Sequence, residues 1–219
     1  MASHQQKSTT AEEYRDHTST PLWLWAAYDA LFDFSIDLAA TSKSAKSPRY
    51  FTIEDDALSQ SWANSVDPFM PLTGWLNPPY SNVLPWVQQA LAEQQAGFTT
   101  VMFIFNDSSV EWWPEGQPCI IQEITGYYYD HTYKTSRPGR PKGTVGKKWA
   151  SGRINFINAA TGEEMRDPLN KPMCAIIFPA LYSGPTIRRP ITKLALMDRG
   201  LAHLEQLAKQ STKLTDQVA

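Results

Sequence analysis

The sequence has few of the residues that build disulfides and metal sites, with two cysteines and four histidines in 219 residues. Cys119 and Cys174 do not have the spacing of zinc ligands, so we expect no disulfide and no bound metal. The chain also lacks the roughly 18-residue apolar run of a transmembrane helix, and residues 1–20 lack the apolar core of a signal peptide. These absences predict a cytoplasmic protein that does not enter a membrane.

Two common catalytic patterns are absent as well. The chain has neither a glycine-rich phosphate loop nor an evident Ser-His-Asp set, which argues against the nucleotide hydrolases and serine hydrolases that depend on them. The net charge is only −2, so the whole chain does not have the excess of basic residues that many nucleic-acid-binding proteins show. A nucleic-acid partner would therefore have to bind a local basic surface.

Basic charge is concentrated in one short segment of an otherwise acidic chain. Residues 134–148 contain no acid and carry +6, which leaves −8 for the rest of the chain. The basic residues are Lys134, Arg137, Arg140, Lys142, Lys147 and Lys148. Tyrosines precede this segment and Trp149 follows it, a combination that suits a nucleic-acid backbone and unstacked bases. We predict an irregular loop at 127–150, because its prolines and glycines disfavour regular structure, and we expect it to contact a nucleic acid such as DNA; a solvated loop or an unrelated linker is the alternative.

Apolar periodicity predicts one α/β domain at residues 18–209, between an N-terminal tail at 1–17 and a C-terminal tail at 210–219. With 42% hydrophobic residues the chain can bury a full core. Strand and helix patterns alternate, as a mostly parallel sheet requires. We predict helices at 22–32, 84–97 and 191–207, strands at 34–40, 50–52, 99–105 and 120–124, and an antiparallel hairpin of 152–158 with 173–179 at the end of the sheet.

Residues 74–81, with the sequence Gly-Trp-Leu-Asn-Pro-Pro-Tyr-Ser, form the most unusual segment of the chain. Neither proline donates a backbone hydrogen bond, and each restricts the residue before it to extended conformations. Asn77 and the Pro78 carbonyl therefore become rigid hydrogen-bond acceptors beside the Tyr80 ring. This arrangement suits a planar group with an amino substituent, such as a nucleobase. An ordinary Pro-Pro turn is the alternative.

A second candidate site lies at the end of the predicted strand 34–40. In open α/β sheets ligands bind at the carboxyl ends of strands, where small residues let a ligand approach the backbone. Asp37, Ala39 and Ala40 occupy this position, although the Gly-x-Gly pattern of many cofactor sites is absent. We expect a cofactor to bind here.

The motif at 77–80 resembles the catalytic motif of the amino-methyltransferases, which transfer a methyl group from S-adenosylmethionine to adenine, cytosine or amide nitrogens. Flanking segments narrow the resemblance to the phage-type DNA adenine-N6 methyltransferases. They occur in that family's order at residues 34–40, 50–58, 62, 75–81 and 152–156. The resemblance implies a Rossmann-like methyltransferase sheet, mostly parallel, with a C-terminal antiparallel hairpin.

The resemblance also implies roles for the candidate residues. The catalytic residues would be Asn77, Pro78, Pro79 and Tyr80, with the target adenine flipped out of the duplex and stacked on Tyr80. The residues that bind S-adenosylmethionine would be Thr20, Asp37, Ala39, Ala40, Asp55, Asp56 and Asn77. Thr20 has two alternative roles, since it can bond the cofactor carboxylate or, before Pro21, cap the first helix.

Asp55 and Asp56 also have alternative roles. One acid could hold the ribose of the cofactor, or Asp56 could accept from the amino group of the cofactor's adenine, as the resemblance implies. A solvated loop or a helix N-terminus is the third alternative, because runs of acids usually face water or lie where a helix begins. Only 19 positions separate Asp37 from Asp56, which predicts a compressed first half of the fold.

These patterns favour methylation of adenine N6 in DNA, by a phage or prophage enzyme that acts in the bacterial host cytoplasm and protects DNA from restriction. One alternative is methylation of a protein glutamine, since glutamine methyltransferases share the Asn-Pro-Pro-Tyr motif. They normally carry a glycine-rich first motif and lack such a basic loop. The other alternative is a DNA-binding protein that has kept the fold and does not bind S-adenosylmethionine.

Overall fold

The computed structural model describes residues 18–158, 161–168 and 170–218, so the predicted N-terminal tail at 1–17 lies outside the described residues. The helices are α1 (Leu22–Phe32), α2 (Leu84–Gln95) and α3 (Lys193–Val218). The strands are β1 (Thr18–Ser19), β2 (Ile36–Asp37), β3 (Thr73–Leu76), β4 (Thr99–Phe105), β5 (Ile120–Thr125), β6 (Tyr127–Thr132), β7 (Val145–Ala150), β8 (Ile157–Asn158), β9 (Met173–Phe178) and β10 (Ile187–Thr192). Two short 3₁₀ helices, Ala57–Ser59 and Ala63–Ser65, lie between β2 and β3.

Six strands form the central sheet, in the order β10-β5-β9-β4-β3-β2. Five of them run in the same direction, and β9 is antiparallel to its two neighbours, β4 and β5. The prediction of a mostly parallel α/β sheet is therefore confirmed. The prediction of an antiparallel hairpin at the end of the sheet is wrong, because β9 lies inside the sheet and pairs with β4 and β5 instead.

The composition of β9 agrees with its position inside the sheet. All six of its residues are buried and none is charged, which is typical of a strand covered on both faces. Of the segment that we expected to pair with it, Ile157–Asn158 pairs instead with Thr18–Ser19. Ile154 and Phe156 are buried in the core. The segment therefore packs against the sheet without joining it.

The two strands predicted between residues 34 and 52 are shorter than expected. The expected strand at 34–40 is reduced to Ile36–Asp37, and the expected strand at 50–52 is reduced to a bridge between Asp37 and Tyr50. Backbone hydrogen bonds nevertheless continue past β2, from Leu38 N to the Trp75 carbonyl at 2.8 Å. The Ala40 amide donates to the Phe51 carbonyl at 2.9 Å. The first bond holds the segment after β2 against β3, and the second holds it against Phe51.

Alternating side chains of the sheet enter two separate cores. On one face, Met102 and Ile104 of β4 pack with residues of α2 such as Val87. On the other face, Val101 and Phe103 pack with residues of α1 and α3. The sheet is therefore the middle of three layers, which is the arrangement that buries parallel strands on both sides.

Helices α1 and α3 pack closely against each other. An added Cβ at Gly200 would collide with the Trp23 carbonyl oxygen, so glycine permits the close approach. Beside this contact His203 Nε2 lies 2.8 Å from Asp29 Oδ2, and Asp29 Oδ1 accepts from Phe34 N at 2.9 Å. Helix α3 begins close to the predicted residue and continues to Val218, which includes residues 210–218 of the predicted C-terminal tail.

The segment predicted as an irregular loop is mostly regular. Strands β6 and β7 pair antiparallel, from Tyr127 with Ala150 to Thr132 with Val145, and form a separate two-stranded sheet. The prediction was wrong because prolines and glycines occur mainly in the connecting residues 133–144, while β6 contains the aromatic and β-branched residues that favour strands. We call β6, β7 and residues 133–144 the basic hairpin.

Candidate active site

A cavity of about 250 Å³ lies at the carboxyl ends of β2 and β3. Parallel strands place their carboxyl ends at one edge of a sheet, so the residues after β2 and β3 meet there. The sequence-predicted residues that line the cavity are Thr20, Asp37, Ala39, Ala40, Asn77, Pro78, Pro79 and Tyr80. The fold thus brings the predicted catalytic motif and most of the predicted cofactor residues into one cavity.

The Asn-Pro-Pro-Tyr motif begins directly after β3 and turns back on itself. The Tyr80 hydroxyl donates to Asn77 Oδ1 at 2.9 Å, which ties the first residue of the motif to the last. The Tyr80 ring also packs against Phe105 at the end of β4, with 4.5 Å between ring centroids. Its attachment to β3, its internal hydrogen bond and its contact with β4 therefore hold the motif in place.

Asp37 is buried in the cavity wall, with 3% of its surface exposed. Its Oδ2 accepts from the Lys46 amide at 3.0 Å and its Oδ1 accepts weakly from the Ala39 amide at 3.4 Å. Burial raises the pKa of Asp37 to about 6, although these amides and the Lys46 charge favour the carboxylate. The cavity wall thus holds a carboxylate that accepts from two backbone amides and can accept further hydrogen bonds from a ligand.

Thr20 is buried beside Asp37 and lines the same cavity. Helix α1 has Pro21 at its N-cap position and no side-chain cap, so the capping role that we considered for Thr20 is not seen. The Thr20 hydroxyl oxygen is fully buried and has no hydrogen-bond partner among the described residues. Since an unpaired buried hydroxyl costs free energy, this group is suited to a ligand.

Lys46 is a site residue that the sequence did not reveal. Its ammonium group donates to Ser19 Oγ at 2.8 Å and to the Ser44 carbonyl at 2.9 Å. Burial lowers the pKa of Lys46, while the nearby Asp37 carboxylate opposes this change. Lys46 therefore links the cavity wall after β2 to β1. The serine- and lysine-rich segment around it has the composition of a solvated loop, which is why no pattern pointed to it.

Asp55 and Asp56 are exposed and do not line the cavity. Asp55 Oδ2 accepts from the amide and the hydroxyl of Thr52, at 2.7 and 2.8 Å, and these hydrogen bonds lower the pKa of Asp55. Asp56 has a left-handed backbone conformation before the first 3₁₀ helix. Thr52 and Ile53 line the cavity. The hydrogen bonds between Asp55 and Thr52 therefore connect Asp55 to the cavity wall.

The basic hairpin holds a second cavity, of about 430 Å³. It is lined by His131, Tyr133, Lys134, Thr135, Arg137, Arg140 and Lys148. Four of the six predicted DNA-binding residues, Lys134, Arg137, Arg140 and Lys148, therefore line one cavity. Lys142 and Lys147 do not line this cavity, and Lys147 forms an ion pair with Asp130 at 2.8 Å.

In the described ranges, no group of three or more His, Cys, Asp or Glu side chains is placed to hold a metal ion. Both cysteines are free thiols. No helix among the described residues has the length and apolar character that crossing a membrane requires.

Comparison with known proteins places the chain in a family. The family profile of DNA N-6-adenine-methyltransferase (Dam) matches residues 7–203. A DNA N-6-adenine-methyltransferase of Haemophilus phage HP1 is 28% identical over 175 residues, which cover 78% of this chain and 83% of the relative. A DNA N-6-adenine-methyltransferase of Escherichia phage T1 is 26% identical over 179 residues, which cover 81% of this chain and 68% of the relative. The resemblance seen in the sequence motifs is therefore confirmed, and the chain belongs to the DNA N-6-adenine-methyltransferase (Dam) family.

Proposed function

We propose that this protein transfers a methyl group from S-adenosylmethionine to the N6 amino group of adenine in DNA, on a Rossmann-like methyltransferase fold. The observation that carries the proposal is the cavity that joins the Asn-Pro-Pro-Tyr motif to the buried Asp37 and Thr20. Family membership supports the same reaction. In a phage, this methylation would protect DNA from restriction enzymes that cut unmethylated sites.

The amino group of adenine is a weak nucleophile because its lone pair is delocalised into the ring. Asn77 Oδ1 and the Pro78 carbonyl accept hydrogen bonds from its two N–H groups and stabilise the positive charge that develops on nitrogen. Asn77 Oδ1 already accepts from Tyr80, but a carbonyl oxygen has two lone pairs and can accept a second hydrogen bond. The N–CH3 bond forms as the S–CH3 bond breaks, and the methylated nitrogen then loses one proton to water, so no general base is needed during the transfer itself.

The target adenine must leave the duplex to reach the cavity. The Tyr80 ring lines the cavity and is partly exposed, so it offers an aromatic surface on which the flipped base stacks. Packing of this ring against Phe105 keeps it in position. Tyr80 thus has two functions, since its ring binds the base and its hydroxyl orients Asn77.

The cavity residues fit S-adenosylmethionine. The buried Asp37 carboxylate is an acceptor for the hydroxyl or ammonium donors of the cofactor, and the unpartnered Thr20 hydroxyl is a donor for its carboxylate. Ala39 and Ala40 line the cavity with small side chains that leave room beside the backbone. When bound, the cofactor supplies an electrophilic methyl group on its sulfonium.

Methyl transfer from tritiated S-adenosylmethionine to unmethylated DNA, followed by nucleoside analysis, tests the proposal. We expect the label in N6-methyladenine. Label in a glutamine-containing protein substrate, with none in DNA, would contradict it and favour the glutamine alternative. Absence of S-adenosylmethionine binding in calorimetry, with DNA binding retained, would favour a DNA-binding protein without catalysis.

We expect the Asp37 carboxyl to make stability depend on pH. Its folded-state pKa of about 6 lies above the ordinary 3.8, so folding takes up a proton between these values. The free energy of unfolding of the cofactor-free protein should therefore fall as pH rises from about 4 to about 6, by at most about 3 kcal/mol. Denaturant unfolding at several pH values measures this component.

Asp37→Asn provides the control, because its amide does not titrate. The asparagine variant should lose this component of the pH dependence. Above about pH 6 its free energy of unfolding should be larger than that of the wild type. Affinity of the wild type for S-adenosylmethionine should fall as pH decreases through about 6, since the protonated acid is a poorer acceptor. Identical pH profiles for the two proteins would contradict the raised pKa.

Tyr80→Phe should lower kcat about two- to tenfold and leave the KM for DNA nearly unchanged. The variant keeps the ring and loses the hydroxyl that holds Asn77, and a hydrogen bond of this kind contributes about 0.5–1.5 kcal/mol. Steady-state methyl transfer separates the two constants. The matched control is Tyr182→Phe, which removes a hydroxyl bonded to the Pro185 carbonyl and outside the cavity. An unchanged kcat in Tyr80→Phe would show that the hydroxyl does not position Asn77.

A further inference from the structure

The basic hairpin has two chemically different faces. Side chains alternate along a strand, so Tyr127, Tyr129 and His131 lie on one face of β6 and Tyr128, Asp130 and Thr132 lie on the other. The first set is half-buried and the second is exposed. We call the first the ladder face and the second the outer face.

The ladder face carries a continuous row of rings. Ring centroids are 6.2 Å apart from Tyr127 to Tyr129, 5.9 Å from Tyr129 to His131 and 4.9 Å from His131 to Tyr133. The Arg140 guanidinium lies over the Tyr133 ring, 3.5 Å from its centroid. A guanidinium held flat against a ring is oriented for hydrogen bonds at its edge.

Four cations surround the cavity on this face, namely Lys134, Arg137, Arg140 and Lys148. None of them forms an ion pair with an acid in the part of the chain that the structure describes. The Arg140 Nε is buried and has no hydrogen-bond partner within residues 18–158, 161–168 and 170–218. The cavity thus concentrates positive charge that nothing in the described protein neutralises.

Lys147 and Lys148 are adjacent in sequence and lie on opposite faces. Strand pairing places Lys148 across from Tyr129, on the ladder face, and Lys147 across from Asp130, on the outer face. Lys147 is paired with Asp130 at 2.8 Å. Tyr128 and Trp149 lie on the same outer face, with their rings 4.9 Å apart.

We propose that the ladder face binds a DNA phosphodiester in its cavity, with an unstacked base against its rings, and that the outer face does not contact the DNA backbone. The inference rests on the proposed function, because it takes DNA as the substrate. Unpaired lysines and arginines around one cavity suit a phosphate, and adjacent aromatic rings suit a base. Lys147, already neutralised by Asp130, has less to gain from a phosphate.

The test compares Lys148→Ala with Lys147→Ala in the full-length protein. Fluorescence anisotropy with a labelled DNA duplex is measured over a range of salt concentrations. One lost phosphate contact should weaken binding about fivefold near physiological salt and reduce the salt slope by about 0.9, so we expect this result for Lys148→Ala. Lys147→Ala should change affinity less than twofold and leave the slope unchanged.

Two further variants test the rings and the ion pair. Tyr129→Ala removes a ladder ring and should weaken DNA binding without a change in salt slope, whereas Tyr128→Ala on the outer face should not weaken it. Asp130→Asn frees Lys147 and should not reduce affinity. Both lysine variants should retain wild-type circular dichroism, since the two side chains are exposed.

Equal effects of Lys147→Ala and Lys148→Ala, or no effect of either, would overturn the assignment of faces. Methyl transfer by the wild type, measured on the same preparations, distinguishes this failure from failure of the proposed function. Transfer to adenine with equal lysine effects contradicts the face assignment alone. No transfer to DNA by the wild type contradicts the proposed function.

Discussion

Replacing Asn77 with alanine should lower the rate of methyl transfer by about 10²–10³-fold, which is the loss expected when one preorganised hydrogen-bonding group is removed from the site of developing charge. Asn77 lines the cavity at the end of β3, where the Tyr80 hydroxyl fixes its Oδ1. Alanine removes the acceptor and leaves the prolines in place. Affinity for S-adenosylmethionine should change little, because Asp37 and Thr20 remain.

Single-turnover transfer and calorimetric titration of S-adenosylmethionine measure the two effects separately. Asn82→Ala is a matched control, since Asn82 is exposed in the same segment and does not line the cavity. It should transfer at the wild-type rate. Retention of activity in Asn77→Ala would remove this residue from the mechanism. A loss of cofactor affinity as large as the loss of transfer rate would assign it to the cofactor site alone.

Replacing Asp37 with alanine should weaken S-adenosylmethionine binding about ten- to hundredfold. A hydrogen bond to a charged group contributes about 1.5–3 kcal/mol. Asp37 offers such a group, since its buried carboxylate accepts from the Lys46 and Ala39 amides and can accept from the cofactor as well. The fold should tolerate the change, because the raised pKa means that the ionised carboxyl destabilises the cofactor-free protein. Calorimetry gives the affinity, and thermal unfolding checks the fold.

Asp67→Ala controls for the loss of one negative charge, since Asp67 is exposed and outside the cavity. It should bind the cofactor as the wild type does. Calorimetric titration of Asp56→Ala compares Asp56 with Asp37. The larger loss of cofactor affinity should occur in Asp37→Ala, because Asp37 lies in the cavity wall. Near-normal affinity of Asp37→Ala would place the cofactor elsewhere.

Local patterns predicted the elements that depend on local interactions. Helix α1 occupies the predicted residues 22–32, and β4 occupies the predicted 99–105. Helix α2 begins at the predicted Leu84 and ends two residues before Gly97, whose positive φ suits the end of a helix. These segments have strong periodicity or continuous apolar runs, and their hydrogen bonds or packing follow from that pattern.

Strand pairing could not be predicted in the same way. The buried run at 173–178 was recognised as a strand, but nothing in its composition specifies which neighbours it pairs with. Its place between β4 and β5 depends on residues about 70 and 50 positions earlier in the chain. The pairing of β6 with β7 also differs from the prediction, because the glycines and prolines of this segment occur mainly at the turn and leave the strands on either side free to form.

The sequence by itself determined which chemistry we propose for this protein, because the Asn-Pro-Pro-Tyr motif, the strand-end Asp37 and the basic segment are local features. The tertiary structure alone decided which groups share a site. It buried the Thr20 hydroxyl with no hydrogen-bond partner in the described part of the chain, brought Lys46 to Ser19 and Asp37, and left Asp55 and Asp56 outside the cavity. It also separated Lys147 from Lys148. The physical reason is that burial and pairing depend on contacts between distant segments, which form only when the sheet and its helices pack together.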